Sequence, residues 1–329
     1  MKAMKAKKKN SRVKVAVIGC GYLGTFHAEK YAAIPQAELV GVADVVPERA
    51  AALATRLSTK PFTDYREVLP RVQAVSIVVP TPEHYVVAKT CLEAGLDILL
   101  EKPVTETEAQ AEELVRLAQA KSRIFQVGHL ERFNPAILAL RNSMVRPGFI
   151  EANRLGPFQE RAANVDVILD LMIHDLDIIL SFIKAPVKSV SALGVPVLSD
   201  KVDIANVRLE FENGAVANLT ASRVSLGEGV RKIRIFEPER YISIDYSNQK
   251  MAVFTLGEGD GTDPMSRIRI QQVPLDRQDA LLTELQAFLA SVAERTPPAV
   301  SGEDGWRALK VALRIHECIA KNLPRPEAL

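Results

Sequence analysis

One segment constrains the fold of this chain more than any other. Val13-Lys14-Val15-Ala16-Val17-Ile18 reads as a short apolar strand, Gly19-Cys20-Gly21-Tyr22-Leu23-Gly24 follows at once, and a helical stretch runs from Thr25 to Ile34. A strand that becomes a helix across three glycines has few solutions. Gly19 allows the tight turn, Gly21 lets the backbone approach a diphosphate, and Gly24 lets the helix pack close to the strand. The diphosphate then sits on the N-terminus of the helix, where free N–H groups and the dipole favour negative charge.

The next strand, Glu38 to Ala43, ends in Asp44. That is near the distance at which a carboxylate meets the ribose hydroxyls of a bound dinucleotide. A carboxylate there bonds a free 2′-hydroxyl and repels a 2′-phosphate, so NAD is favoured over NADP. Arg49, one helical turn further on, softens that preference. Strand candidates at 13–18, 38–43, 73–79, 97–100 and 124–127 alternate with helix candidates at 24–34, 47–57, 83–94 and 105–121. The alternation predicts a doubly wound parallel sheet, an α/β Rossmann domain, over residues 1–129.

Two further strings carry chemistry. Ile98-Leu99-Leu100-Glu101-Lys102-Pro103 reads as a buried strand stopped by a charged pair and a proline. Ligands of open α/β sheets bind beyond the carboxyl ends of the strands, which places Lys102 at the site. Alone, the string is equally a surface Lys-Pro turn. The second string, Val165 to Leu180, predicts one buried helix. Asp170, His174 and Asp177 fall on one face at i, i+4 and i+7, and Asp175 points elsewhere as a solvated or capping charge. Three ionisable groups on a buried stripe are costly without partners or a task. Either they form a structural trio or they act on a substrate. Between these strings lies Gly128 to Pro135, also expected at the ligand edge. Arg132 and Asn134 there either contact substrate or brace the turn, and His129 is read as a satisfied loop residue.

After residue 185 the pattern changes. Residues 187–195, 202–211, 214–222, 230–236, 240–245 and 251–256 read as successive strands, with Asn213-Gly214 as a hairpin signal. Val207, Leu209 and Phe211 alternate with Arg208 and Glu210, so one face is apolar. Residues 130–329 are predicted to form an α+β domain with a large open, mostly antiparallel sheet, covered on one face by the helix at 165–183. Amphipathic helices near 277–294 and 303–321 are expected to pack back against the first domain or the junction.

Composition excludes several classes. The formal net charge of +2 gives no argument for nucleic acid. Three cysteines offer no disulfide framework and suit a reducing compartment, so a cytoplasmic location is expected. No apolar run reaches the length of a membrane span. Cys20, Cys91 and Cys318 are scattered, and no metal site is expected. Residues 1–12 are basic but lack the apolar stretch of a signal peptide, and read as a flexible solvated tail.

Taken in order, Gly19 to Gly24, Asp44, Thr81-Pro82-Glu83-His84, Glu101-Lys102-Pro103, and Asp170 with His174 resemble the glucose-fructose oxidoreductase and inositol dehydrogenase family of NAD(P)-dependent sugar dehydrogenases. The resemblance covers roughly the first 180 residues by motif and the rest by architecture. It implies Lys102, Asp170 and His174 as catalytic residues. It implies cofactor contacts from the glycine loop (Gly19, Gly21, Tyr22, Leu23 and Gly24), Asp44, Thr81 and Pro82. His84 and Glu101 are further cofactor candidates, and Arg132, Asn134 and Asp177 are substrate candidates by their place at the ligand edge and on the helix stripe. Glu83 departs from the family, where asparagine is usual. The string His129 to Pro135 resembles members that oxidise the 3-hydroxyl of UDP-N-acetylglucosamine towards a 3-amino sugar for lipid A. A different sugar or inositol is the rival substrate, and Arg132, Arg154, Arg161 and Arg223 are candidates for a diphosphate. The open sheet is expected to join subunits into a dimer or tetramer. A silent NAD-binding sensor or scaffold is the rival of another class. A periplasmic oxidoreductase with tightly held NADP is disfavoured by Asp44 and the missing signal peptide.

Overall fold

The computed structural model describes residues 12–141, 146–159, 165–225, 229–257 and 267–322. The basic tail, apart from Arg12, lies outside these, as does Arg161. The chain divides into two compact units, one of residues 1–128 with 281–302, the other of residues 129–280 with 303–329.

The first unit is built on a six-stranded parallel sheet. Its strands are β1 (Val13–Ile18), β2 (Ala37–Ala43), β3 (Lys60–Phe62), β4 (Ala74–Ile77), β5 (Asp97–Glu101) and β6 (Phe125–Gly128), in the spatial order β3-β2-β1-β4-β5-β6. The order reverses between β1 and β4, and the crevice beyond the carboxyl ends there is where such sheets take ligands. β4 and β5 are buried at every residue, as strands covered on both faces must be. The crossovers are α1 (Tyr22–Ala33), α2 (Pro47–Leu57), α3 (Thr81–Glu93) and α4 (Glu108–Ala120). α4 starts on a capping box in which Thr107 and Gln110 bond each other's backbone N–H.

The second unit is an eight-stranded sheet. It comprises β7 (Phe149–Leu155), β8 (Val187–Val195), β9 (Ile204–Phe211), β10 (Val216–Ser222), β11 (Val230–Glu237), β12 (Arg240–Asp245), β13 (Lys250–Leu256) and β14 (Ile268–Val273), in the order β14-β13-β12-β11-β7-β10-β9-β8. β7 and β10 run parallel and the other pairs antiparallel. The hairpin between β9 and β10 turns at Asn213-Gly214, where Gly214 has φ +84°. Val207, Leu209 and Phe211 enter the core with Ile150, Ala152, Ile233 and Ile242, packed by α5 (Pro135–Arg141) and α6 (Ile173–Phe182).

Two expectations need correction here. The segment predicted as one helix over 165–183 is a π turn at Ile168–Met172 followed by α6. Asp166 caps its start, its Oδ1 accepting the N–H groups of Ile168 at 2.8 Å and Leu169 at 3.1 Å. Nor do the two last helices share one destination. In α7 (Ala280–Glu294), Leu285, Phe288, Leu289 and Val292 join the core of the first unit. In α8 (Gly302–Asn322), Ala308, Val311, Ala312, Ile315 and Ile319 join the core of the second.

Candidate active site

In the first unit, the loop after β1 is shaped by its glycines. Gly19 has φ +100°, and a Cβ there would lie 2.4 Å from the Val78 carbonyl oxygen. A Cβ on Gly24 would lie 1.9 Å from the Gly19 carbonyl oxygen, so α1 seats tightly on its own entry turn. Gly21 differs: no atom lies within 4 Å of a Cβ built there. It caps α1, whose first turn carries no acidic residue. The backbone is therefore open at the helix end whose dipole favours an anion. Tyr22 stands 70% exposed beside this opening, its ring edge-on to Phe26.

Asp44 holds the neighbouring turn. Its Oδ2 accepts the N–H of Cys20 at 2.7 Å and its Oδ1 the N–H of Val46 at 2.8 Å. With Gly19, Gly21, Val45, Arg49, Tyr65 and Glu83 it lines a cavity of about 560 Å³. The Cys20 thiol is pushed up to about 12 by burial and by the Asp44 carboxylate, so it is no nucleophile at neutral pH.

Thr81 and Pro82 open α3, with proline in the first turn where its missing N–H costs nothing. His84 is placed differently from its expected role. It is buried, with Nδ1 2.8 Å from the Pro103 carbonyl oxygen and Nε2 2.9 Å from that of Val79. Burial lowers its pKa, while these carbonyls and Glu101 nearby act in the opposite sense. It braces the turn after β5 and has no ring nitrogen to spare for a cofactor. Glu101 is likewise buried, its Oε1 3.2 Å from His27 Nε2 and its Oε2 3.3 Å from the Lys102 N–H. Lys102 follows, half-buried, at the carboxyl end of β5, and the Lys102–Pro103 peptide is cis.

In the second unit, Asp170 lies in the π turn and His174 in the first turn of α6, both half-buried. π turns are rare and frequently mark functional positions. The His129 ring is buried and meets the His174 ring edge-on, with centroids 6.3 Å apart. Asp177 is buried and paired. Arg132 Nε and Nη2 grip its two oxygens at 2.6 and 2.8 Å. Asn134 is also committed, its Oδ1 accepting the Ala136 N–H at 3.2 Å and its Nδ2 bonding the Tyr246 carbonyl oxygen at 3.3 Å. These three candidate substrate contacts are brought together as braces of the loop after β6.

Asp175 is not the solvated charge expected of it. It is 3% exposed and held by Arg154 Nε at 2.8 Å and Nη2 at 2.9 Å, while Arg154 Nη1 reaches Glu131 Oε1 at 2.9 Å. Burial disfavours the Arg154 charge, but the two carboxylates more than offset this and keep it protonated. The diphosphate role considered for Arg132, Arg154 and Arg223 is corrected by their pairings, while Arg161 lies outside the described residues. Arg132 and Arg154 are spent on Asp177 and Asp175, and Arg223 is spent on Asp203 and Ser199. A signal for Arg154 was present in the sequence: it shares the face of β7 that carries Ile150 and Ala152, so it had to meet a buried acid. Among the described residues no group of three His, Cys, Asp or Glu side chains stands at metal-ligand spacing, and no helix is long and apolar enough to cross a membrane.

Residues 13–129 match the oxidoreductase family with NAD-binding Rossmann fold, and residues 137–239 match the GFO/IDH/MocA C-terminal domain. The chain is 41% identical over 315 residues to UDP-N-acetylglucosamine 3-dehydrogenase of Acidithiobacillus ferrooxidans, covering 95% of this chain and 99% of that protein. The solved structure of that enzyme superposes with a TM-score of 0.89 over 95% of this chain and 99% of its own. Myo-inositol 2-dehydrogenase of Thermotoga maritima is 27% identical, covering 90% of this chain and 93% of that protein.

Proposed function

The chain belongs to the Gfo/Idh/MocA family of NAD-binding oxidoreductases, and from that premise we propose that it oxidises the 3-hydroxyl of UDP-N-acetylglucosamine with NAD, supplying the keto sugar from which a 3-amino sugar is made for lipid A. The observation that carries the substrate is the 41% identity, over nearly the full length of both chains, to an enzyme of that name.

The cofactor fits the residues present. The opening at Gly21 leaves room for a diphosphate, and the cavity beside Asp44 suits an adenosine whose ribose carries a free 2′-hydroxyl. Bound there, the dinucleotide supplies the hydride acceptor. The rest of the chemistry falls to this chain's own side chains. His174 takes the proton from the substrate hydroxyl, since an imidazole titrates near neutrality. Lys102 places an ammonium against the developing alkoxide. Asp170 orients the ring or bonds a neighbouring hydroxyl. Arg132, Asn134 and Asp177 hold the loop between β6 and α5 rather than the sugar.

The open face of the large sheet is proposed to join subunits. Phe149, Phe236, Tyr241 and Phe254 stack across four neighbouring strands, with successive ring centroids 5.5, 5.3 and 4.0 Å apart. Glu151 and Arg234 pair in the next row at 2.9 Å. An aromatic ladder rimmed by charge suits a second copy of the same face. A cytoplasmic location suits three unpaired cysteines.

The test is NAD reduction followed at 340 nm with UDP-N-acetylglucosamine, free sugars, myo-inositol and scyllo-inositol. Turnover confined to the nucleotide sugar is expected, with a 3-keto product. Faster turnover of an inositol would overturn the substrate, and NAD binding without turnover of any would favour a sensor.

A further inference from the structure

We propose that Arg154 is a positioning residue for His174: it joins Asp175 to Glu131, and so fixes the helix turn bearing His174 against the loop bearing His129. This rests on the reading of His174 as the proton acceptor.

The geometry is specific. Asp175 follows His174 directly, so the direction of its carboxylate sets the rotation of α6 at the histidine. Arg154 takes both oxygens of that carboxylate in a fork, from a central strand of the sheet. Two parallel bonds fix orientation as well as distance. Its remaining guanidinium nitrogen goes to Glu131, two residues beyond His129. One buried cation therefore links the neighbour of His174 to the loop whose first residue touches the His174 ring. The Tyr246 ring lies 5.6 Å from the guanidinium, and the Tyr246 carbonyl oxygen accepts from Asn134 at the far end of the same loop. Arg132 makes a second tie in the opposite sense, from loop to Asp177. A pair serving stability alone is replaceable by uncharged groups at little cost. A pair that aims a proton acceptor is not, because a misplacement of about 1 Å costs up to ~100-fold in rate.

That contrast gives the test. Arg154→Gln combined with Asp175→Asn and Glu131→Gln removes the cation and both of its carboxylates together, so that no charged partner is orphaned. The combined variant should melt near the parent, bind NAD within about twofold, and lose kcat by about tenfold or more with UDP-N-acetylglucosamine. Its His174 ring resonance, assigned by His174→Ala in the full chain, should shift or broaden while that of His84, in the first unit, stays in place. Arg154→Lys, which keeps the cation but loses the fork, should also melt near the parent and keep only part of kcat. Parental kcat in the combined variant, or an unmoved His174 resonance, would overturn the proposal. If the parent itself does not turn over the nucleotide sugar, the functional reading fails, and the resonance still decides the positioning role. If the combined variant does not fold, Arg154→Lys carries both measurements with the same deciding outcomes.

Discussion

The carboxylate of Glu101 fills the space that a side chain on Gly128 would need. A Cβ at Gly128 would lie 2.5 Å from Glu101 Oε1, and the two residues are register partners on β5 and β6. The same carboxylate meets His27 on one side and the Lys102 N–H on the other. Gly128→Ala should therefore displace Glu101 and, with it, the backbone that presents Lys102. A loss of about 1–3 kcal/mol is expected from the overpacking, together with reduced turnover. Thermal melts and steady-state kinetics check this, and unchanged turnover would uncouple Glu101 from Lys102.

Asp44 combines two tasks that mutation can separate. Its oxygens hold the Cys20 and Val46 N–H groups, and it borders the cavity proposed for the adenosine. Asp44→Asn keeps one acceptor oxygen for the turn but removes the charge. The preference for NAD over NADP should fall about tenfold or more, since a 2′-phosphate no longer meets a carboxylate. Calorimetric titration of both dinucleotides measures it. An unchanged ratio would place the selectivity elsewhere.

Asp203 gives a prediction about acid stability. It is fully buried, which pushes its carboxyl up. The N–H groups of Leu198, Val197 and Ser199 and the Arg223 guanidinium more than reverse this and hold it well below the usual carboxylate range. A depressed folded-state pKa stabilises the fold above the unfolded value of about 4, and that stability is lost as pH falls towards the folded value. Asp203→Asn, which leaves the Arg223 charge without its carboxylate, should cost about 3–5 kcal/mol at pH 7. The gap from the parent should narrow below about pH 4. Urea unfolding at pH 7 and pH 3 tests it, and a gap that widens in acid would contradict the assignment.

Sequence order carried the first unit well because its signals are backbone requirements. Gly19 and Gly24 stand where a Cβ would strike a carbonyl, and nothing but glycine suits those positions. The strands from 187 to 256 were legible through alternation, as in Val207, Leu209 and Phe211. β7 was missed because a core position holds Arg154, which breaks the apolar alternation of Ile150 and Ala152. β14 was missed because five of its six residues are exposed, leaving no apolar face to detect. Asp175 departs from its expected place because it lies off the Asp170–His174–Asp177 stripe and the pattern alone shows no partner for it, whereas Asp175 to Leu180 are buried without a break. The amphipathic pattern of α8 showed that it had a core to join but not which one.

The decisive chemical prediction concerns Lys102 and His174. Lys102→Met removes the ammonium while keeping an unbranched stem, so the packing of the turn braced by His84 should persist. His174→Ala removes the proposed proton acceptor and leaves Asp175 in the Arg154 fork. Each should lower turnover by about 10²–10⁴-fold, the range for losing an acid–base or electrostatic group. NAD affinity should hold in both, because the anion-facing opening at Gly21 and the Asp44 turn are untouched. The double variant should fall little further than the worse single one if the two groups serve one proton transfer. Steady-state kinetics with UDP-N-acetylglucosamine, with NAD binding measured separately, decides it. Near-parental turnover in either single variant would move the acid–base group to another residue, with His129, against the His174 ring, the first to substitute.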